Sequence, residues 1–410
     1  MNRMLSFSVL ASLIAVGCAV DDRHGGPIER STTPLETEAM IPFFDARSHT
    51  AEYAGPGREV PSPLDIEEVK IGWFGPSDPN DTEAGMMWCA ATLAIEEANR
   101  KGGYHGSEFR LVTSWSENPW GSGIRDVTRL VYDEGVWAIV GAPDGPSAHL
   151  VEQVVAKARL AFISPVATDK TANLANVPWI FSCAPGDHIQ AAALAQAIVS
   201  CAEGKNIAAV SGTDHDSRLF TTELLAAFNK IKLFPSLHVQ FRPQCADFDT
   251  QLQSIRQAQP AAVALITGAQ DAGRFMRALR QEGLTVPVFG GPAMGRRLFI
   301  ETAGKSAEGV VFPLLWQPSV TGERSVEFAR RFQQQFGIYP DYTAAYTYDA
   351  MNLLIAAIRR AGLNRVLIRD AIRILSPFPG VTGTIRWDPT GHNYRPVHLG
   401  TIRNGKVRGV

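Results

Sequence analysis

The chain has 410 residues, enough for two or three domains of ordinary size. Hydrophobic residues make up 45% of it and charged residues 20%, which excludes a disordered or fibrous chain. The formal net charge is −2 and no Lys/Arg-rich run occurs, so nucleic acid is not an expected partner.

Asn2-Arg3 give the chain a short basic start, and residues 4–16 form an uncharged apolar run. That run is shorter than the ~20 residues a bilayer span needs, but it suits the core of a signal peptide. It ends in Ala15-Val16-Gly17-Cys18, which resembles a bacterial lipobox, although Ala15 stands where the usual leucine would be. The resemblance implies acylation of Cys18, making the mature protein a lipid-anchored protein of the periplasm or cell envelope. An ordinary cleaved secretory peptide with an incidental cysteine is the alternative, and both readings export the chain. Residues 19–65 carry Gly25-Gly26-Pro27, Gly55-Pro56-Gly57 and Pro61-Ser62-Pro63 with no sustained period. They are expected to form a flexible tether.

From Val69 the pattern changes. Strands are expected at 69–74, 109–115, 136–140 and 160–164, separated by helices at 86–99, 124–133 and 147–158. The rhythm then repeats, with strands at 206–211, 237–241, 261–267 and 286–289 and helices at 220–232, 248–257 and 272–282. Such alternation predicts parallel sheets covered by helices on both faces, in two similar lobes. Helices at 324–336, 343–361 and 365–375 come next, then strands at 383–387 and 397–403, with Asn404-Gly405 as a hairpin turn. This late helical excursion predicts that the chain returns to its first lobe.

The strands run into small-residue loops: Gly75-Pro76, Gly141-Ala142-Pro143, Ser164-Pro165, Gly212, Gly268 and Gly290-Gly291-Pro292. In parallel sheets these C-terminal edges lie on one side, where open α/β sheets bind small ligands. The run Leu160-Ala161-Phe162-Ile163-Ser164-Pro165-Val166-Ala167-Thr168 is the most telling. Its strand stops at Pro165, and the loop beyond offers backbone donors and the Thr168 hydroxyl but no catalyst. The sequence holds no G-x-S-x-G, H-E-x-x-H or Walker A motif. A binding protein without cofactor or metal is therefore expected, rather than an enzyme. Asp214-His215-Asp216 by itself offers too few converging ligands for an ion, and Gly121-Ser122-Gly123 reads as a plain turn. Among the tryptophans, Trp88 and Trp115 read as core, while Trp120 in its loop is an open candidate for the ligand site.

Several segments resemble the type I periplasmic solute-binding proteins of the branched-chain amino-acid (Leu/Ile/Val-binding) family of ABC importers. They are Ile95-Glu96-Glu97-Ala98-Asn99 with Gly102-Gly103, the loop Ser164 to Thr168, Gly337-Ile338-Tyr339-Pro340, Tyr342 to Ala350, and Gly380 to Asp388 with Gly391. The resemblance implies two Rossmann-like lobes joined by a three-crossing hinge, with a ligand trapped on closure and delivered to ABC permease subunits. On that basis the expected lobes are 66–186 with 317–381 and 187–316 with 382–410, in a monomer.

The resemblance also assigns positions in the cleft. The family's carboxylate loop falls on Gly141 to Ser147, with Gly145 where a serine is expected and Ser147 nearby. Val166, Ala167 and Thr168 match the second contact loop. Asp216 stands where an aromatic is expected, the acid for a ligand ammonium is missing from the turn containing Gly291, and the aromatic near Glu83 is also missing. These departures argue against an ordinary branched-chain amino acid. They leave a small polar ligand, whether amino acid, amide or amine-like. Asp144, Asp216, Glu83 and Asp271 are candidates for a negative site favouring a cationic group. Helix N-caps and solvated loop residues are the alternative for the same acids. A non-transport sensor or interaction protein on the same fold is the competing function. Cys89, Cys183, Cys201 and Cys245 form no C-x-x-C pair and are expected to be buried free thiols.

Overall fold

The central apolar runs of the sequence become strands buried on both faces, while the strands at 108–113 and 237–241 keep one face partly exposed. The computed structural model describes residues 52–116, 119–169 and 177–410, with no side-chain description at 119–120. The predicted signal peptide, Cys18, most of the tether and the side chain of Trp120 lie outside the described residues. In chain order the first part comprises β1 (Glu68–Phe74), α1 (Gly85–Arg100), β2 (Glu108–Thr113), α2 (Ile124–Thr128), β3 (Ala138–Gly141), α3 (Gly145–Ala158), β4 (Ala161–Ser164) and β5 (Ile180–Pro185). The second comprises α4 (Asp187–Ala202), β6 (Ile207–Gly212), α5 (His215–Lys230), β7 (Leu237–Phe241), α6 (Asp249–Ala258), β8 (Ala262–Ile266), α7 (Ala269–Gln281), β9 (Val288–Gly290), α8 (Arg297–Ala303) and β10 (Val311–Leu314). The chain then forms α9 (Pro318–Thr321), α10 (Glu323–Phe336), α11 (Tyr342–Ala361), α12 (Arg365–Ile374), β11 (Phe378–Gly380), β12 (Gly383–Ile385), β13 (His392–Asn393), β14 (His398–Arg403) and β15 (Lys406–Gly409).

The first lobe holds a six-stranded sheet in the order β13-β5-β4-β3-β1-β2, the second a seven-stranded sheet in the order β15-β14-β10-β9-β8-β6-β7. Leaving aside β13, β14 and β15, both sheets are parallel and repeat one doubly wound order. In each, the order reverses between the first and third strands, at β1/β3 and β6/β8, which is where such sheets bind ligands. Side-chain alternation fills both faces of the first sheet. Val69, Ile71 and Trp73 pack with α1 and α11, while Phe74, Ile139 and Phe162 pack with Val151 and Val155 of α3. The second sheet is covered the same way, with Val263 and Leu265 on one face and Ala262, Ala264 and Ile266 on the other.

The late helices return to the first lobe, and one buried carboxylate fastens the hairpin beyond them. Asp349 of α11 accepts hydrogen bonds from Val381 N (2.7 Å), Thr382 N (2.8 Å) and Thr382 Oγ1 (2.6 Å), pinning the β11–β12 hairpin. The Tyr348-Asp349-Ala350 and Gly380-Val381-Thr382-Gly383 motifs are thus two halves of one contact. The C-terminal hairpin turns at Asn404-Gly405, both with positive φ (53° and 65°), as a two-residue turn of this kind requires.

The structure corrects several expectations. The last crossing comes after residue 393, not at 381/382, because His392–Asn393 adds to β5 of the first sheet. Strands β5 and β10 are absent from the expected set, each carrying a proline, Pro185 and Pro313, that interrupts the strand pattern. Pro313 is tolerated because β10 meets β9 only at Val311. The predicted helix 124–133 keeps α-geometry only to Thr128, and Arg129–Asp133 widens into a π-turn. The end of the predicted tether is packed. Tyr53 packs tilted against Trp179 with ring centroids 4.8 Å apart, Arg58 pairs with Asp370 at 2.9 Å, and Asn364 Nδ2 donates to the Gly57 and Val60 carbonyls. Cys89 and Cys183 are buried thiols, with burial pushing Cys89 up to about 11, but Cys245 is half-buried and Cys201 is exposed on α4.

Candidate functional site between the two lobes

Helix α3 begins at the first lobe's switch point with a strong start signal. Asp144 is the N-cap, accepting from Ser147 N at 2.8 Å, while the buried Ser147 hydroxyl donates to the Asp144 carbonyl at 3.0 Å, and Pro146 occupies the first turn. Both side chains predicted as ligand contacts are therefore engaged in building the helix terminus. What the terminus presents to the cleft is a backbone donor. Gly145 N–H donates to Asp216 of the opposite lobe, at 3.1 Å and 3.2 Å to its two carboxylate oxygens. A favourable dipole and orphan N–H groups make this an anion position.

Asp216 reaches it from the first turn of α5, which opens with Asp214 as N-cap to Ser217 N at 2.9 Å. Gly145 is small for a reason: a Cβ there would run into the Asp216 carboxylate and come within 3.1 Å of the His215 ring. The glycine found where a serine is expected thus admits two side chains from the other lobe. The residue as a whole is exposed, but desolvation of its carboxylate at the lobe seam, reinforced by the charge of Asp144, pushes the Asp216 carboxyl well above the ordinary carboxylate range. Beside it, Asp169 comes directly after Thr168, and its Oδ2 bonds to His149 Nε2 of α3 (2.8 Å) and His215 Nε2 of α5 (3.0 Å).

The contact loop lies just upstream. Val166 packs half-buried against the first-lobe core, Ala167 is buried with its N–H on Ser164 Oγ at 3.3 Å, and the half-buried Thr168 accepts Asp187 N–H on its carbonyl at 2.9 Å. On the second lobe, Thr267 ends the run of β8 at the other switch point. Its Oγ1 is buried without a hydrogen-bond partner among the described residues. Sequence reasoning passed over it because a threonine at a strand end carries no signal of its own.

A second lobe-to-lobe contact forms at the turn after β9. Gly291 has open space where a Cβ would sit, and the turn delivers Arg296 where an acid is expected nearby. Arg296 donates to the Glu83 carboxylate and, at 2.5 Å, to the Glu83 carbonyl, with Asp341 at 3.9 Å. Arg297 N–H also donates to Asp341 Oδ2 at 3.3 Å. Glu83 is thus paired across the cleft. Asp271 plays no part in it: its carboxylate accepts from Gln244 N (2.9 Å) and Arg274 (3.2 Å) within its own lobe. Trp88 and Trp115 pack on Trp73 and Phe74 as core. A separate cavity of about 780 Å³, lined by Arg297, Trp316, Gln317, Tyr339 and Tyr342, lies by the crossing after β10 and touches none of the predicted ligand residues.

Comparison with known proteins places this architecture. A family described as "Periplasmic binding protein" matches residues 68–406. An "Amino acid binding protein" of Pseudomonas aeruginosa is 24% identical over 332 residues, covering 80% of this chain and 87% of its own. A "Leu/Ile/Val-binding protein homolog 1" of Brucella melitensis is 22% identical over 322 residues, covering 78% and 86%. Among solved structures, the branched-chain amino acid transporter substrate binding protein of Streptococcus pneumoniae, in complex with isoleucine, superposes with a TM-score of 0.77 at 20% identity, covering 83% of this chain and 98% of that one. A solute binding protein of an ABC transporter from R. palustris, in complex with benzoate, superposes with a TM-score of 0.75 at 17% identity, covering 84% and 95%.

Proposed function

The chain belongs to the periplasmic binding protein family, and from that premise we propose that it captures a small polar ligand between its lobes for ABC-type import. Ligand contacts fall to the first turn of α3, the loop Val166 to Thr168, Thr267 and the turn at Gly291. Closure excludes water around these groups and shifts the population toward the form in which the lobes touch. The protein works outside the cytoplasm, with Cys18 as its lipid attachment, and hands its ligand to permease subunits. Its chemistry is binding, not catalysis.

The observation that carries this reading is the Asp216 carboxylate on the Gly145 N–H. A protein carboxylate occupies the anion position at the cleft's own helix terminus. A ligand carboxylate must displace it, whereas an amine or amide can pair with it. The reading therefore favours a ligand with a cationic or amide group over a simple branched-chain amino acid.

A thermal-shift panel of amino acids, amines, amides and small carboxylates tests this. The expected result is a raised Tm with amine- or amide-bearing compounds, together with ligand-dependent compaction in solution scattering. A panel in which no compound raises Tm or changes the scattering would sink it. A gene neighbourhood lacking permease and ATPase genes would turn the same site toward sensing.

A further inference from the structure

We propose that His149, Asp169 and His215 form a site for a first-row divalent cation, Zn2+ foremost, that staples the two lobes together beside the ligand cleft. The three donors come from α3, the ligand loop and α5, so two belong to the first lobe and one to the second. His149 Nε2 and His215 Nε2 lie 2.8 Å and 3.0 Å from Asp169 Oδ2, and all three donor atoms lie within 4.8 Å of one another. Four-coordinate Zn2+ with bonds of about 2.0 Å needs donors roughly 3.3 Å apart. The two contacts to Asp169 would lengthen by about 0.3–0.5 Å to reach that spacing. Two imidazoles and one carboxylate are also the ligand set that Zn2+ and Co2+ favour over Mg2+ or Ca2+.

A second feature belongs to metal sites. The other ring nitrogen of His149, Nδ1, lies 3.3 Å from Glu152 Oε2, one turn along the same helix. A carboxylate on the distal nitrogen fixes the ring orientation and raises ligand basicity, as around zinc-binding histidines generally. Asp169 is almost fully buried at 3% exposure, while both histidines are only partly buried, so an ion can enter from the solvent side. His215 gains its approach through the missing side chain of Gly145, whose Cβ would lie 3.2 Å from His215 Nε2.

The functional consequence comes from position. Asp169 is the residue after Thr168, so an ion there fixes one end of the ligand loop. Because His215 is in the other lobe, the complete ligand set exists only when the lobes are closed. The ion and closure must then favour each other by the same factor. Zinc availability would set how readily the protein holds its closed form.

The test uses the full chain stripped with a chelator and titrated with ZnCl2, and with CoCl2 as a visible probe. The expected result is one bound ion per chain, a raised Tm, and Co2+ absorption of tetrahedral intensity bleached by Zn2+. Glu152→Gln should weaken binding 10–100-fold, and His149→Gln or His215→Gln should weaken it at least 100-fold. Cys201→Ser should leave it unchanged. X-ray absorption of the zinc-loaded wild type, which needs no variant to fold, should show imidazole scattering and no sulfur. Absence of binding at tens of micromolar, full retention in the His149→Gln/His215→Gln double variant, or sulfur scattering would each overturn the site, leaving a hydrogen-bonded His–Asp–His contact alone.

Discussion

Asp349 and Asp216 both accept backbone N–H groups, one buried inside the first lobe and one on an exposed residue at the seam between the lobes, and they behave as opposites. Asp349, inside the first lobe, is met by two N–H groups and a hydroxyl, one set for each oxygen. Asp216, between the lobes, is met by one shared N–H and is surrounded by Asp144, Asp187 and Asp214. Burial raises Asp349 only to about 6, because Thr382 and Val381 N–H offset much of the penalty. Desolvation of its carboxylate at the lobe seam raises Asp216 as well, and its acidic neighbours add to the shift instead of offsetting it. Donor count separates a rivet from a switch. Three donors make a carboxylate structural; one donor among like charges leaves it ready to be displaced or protonated.

The largest effect should come from removing the rivet. Asp349→Ala leaves Val381 N, Thr382 N and Thr382 Oγ1 without their acceptor in a buried site. We expect a loss of about 3–5 kcal/mol in stability, read as a lower urea midpoint and Tm. Wild-type stability here would show that the hairpin is held by packing and that the distinction between the two acids is misplaced.

Asp216→Asn should act on closure rather than on folding. In the wild type the raised carboxyl favours the closed form when protonated. That contribution is complete at low pH and is lost as pH rises through its elevated range. Acidification should therefore compact the protein in solution scattering. Asn keeps an acceptor for Gly145 N–H and removes the charge, so the variant should stay compact at neutral pH with its acid response abolished. An unchanged acid response would move the switch to another group.

The smallest effect concerns the neighbouring seam in chelated buffer. The hydrogen bonds to Asp169 and Glu152 raise His149 to about 9. Protonated His149 therefore contributes stability that is fully present below about pH 6.5 and lost as pH rises through about 9. Urea midpoints measured from pH 6 to pH 10 should fall in the wild type by the equivalent of about 1 kcal/mol more than in His149→Gln. A parallel fall in both proteins would remove His149 as its source.

The alternation of strands and helices, the small-residue loops at the strand ends and the hairpin at Asn404-Gly405 were all legible along the chain. These are local properties: side-chain period, proline's missing donor and glycine's access to positive φ all act within a few residues. The motifs around Asp349 and Thr382 were legible too, though only the fold shows that they touch. Which groups face each other was decided by tertiary structure alone. Asp144 and Ser147 cap a helix, Asp216 crosses 71 residues of sequence to Gly145, and His149 and His215 meet on Asp169 from different lobes. Arg296 spans 213 residues to Glu83. A pairing between lobes depends on how two sheets face each other across three crossings. No spacing along one chain encodes that geometry, because the distance between lobes is set by packing and not by sequence separation.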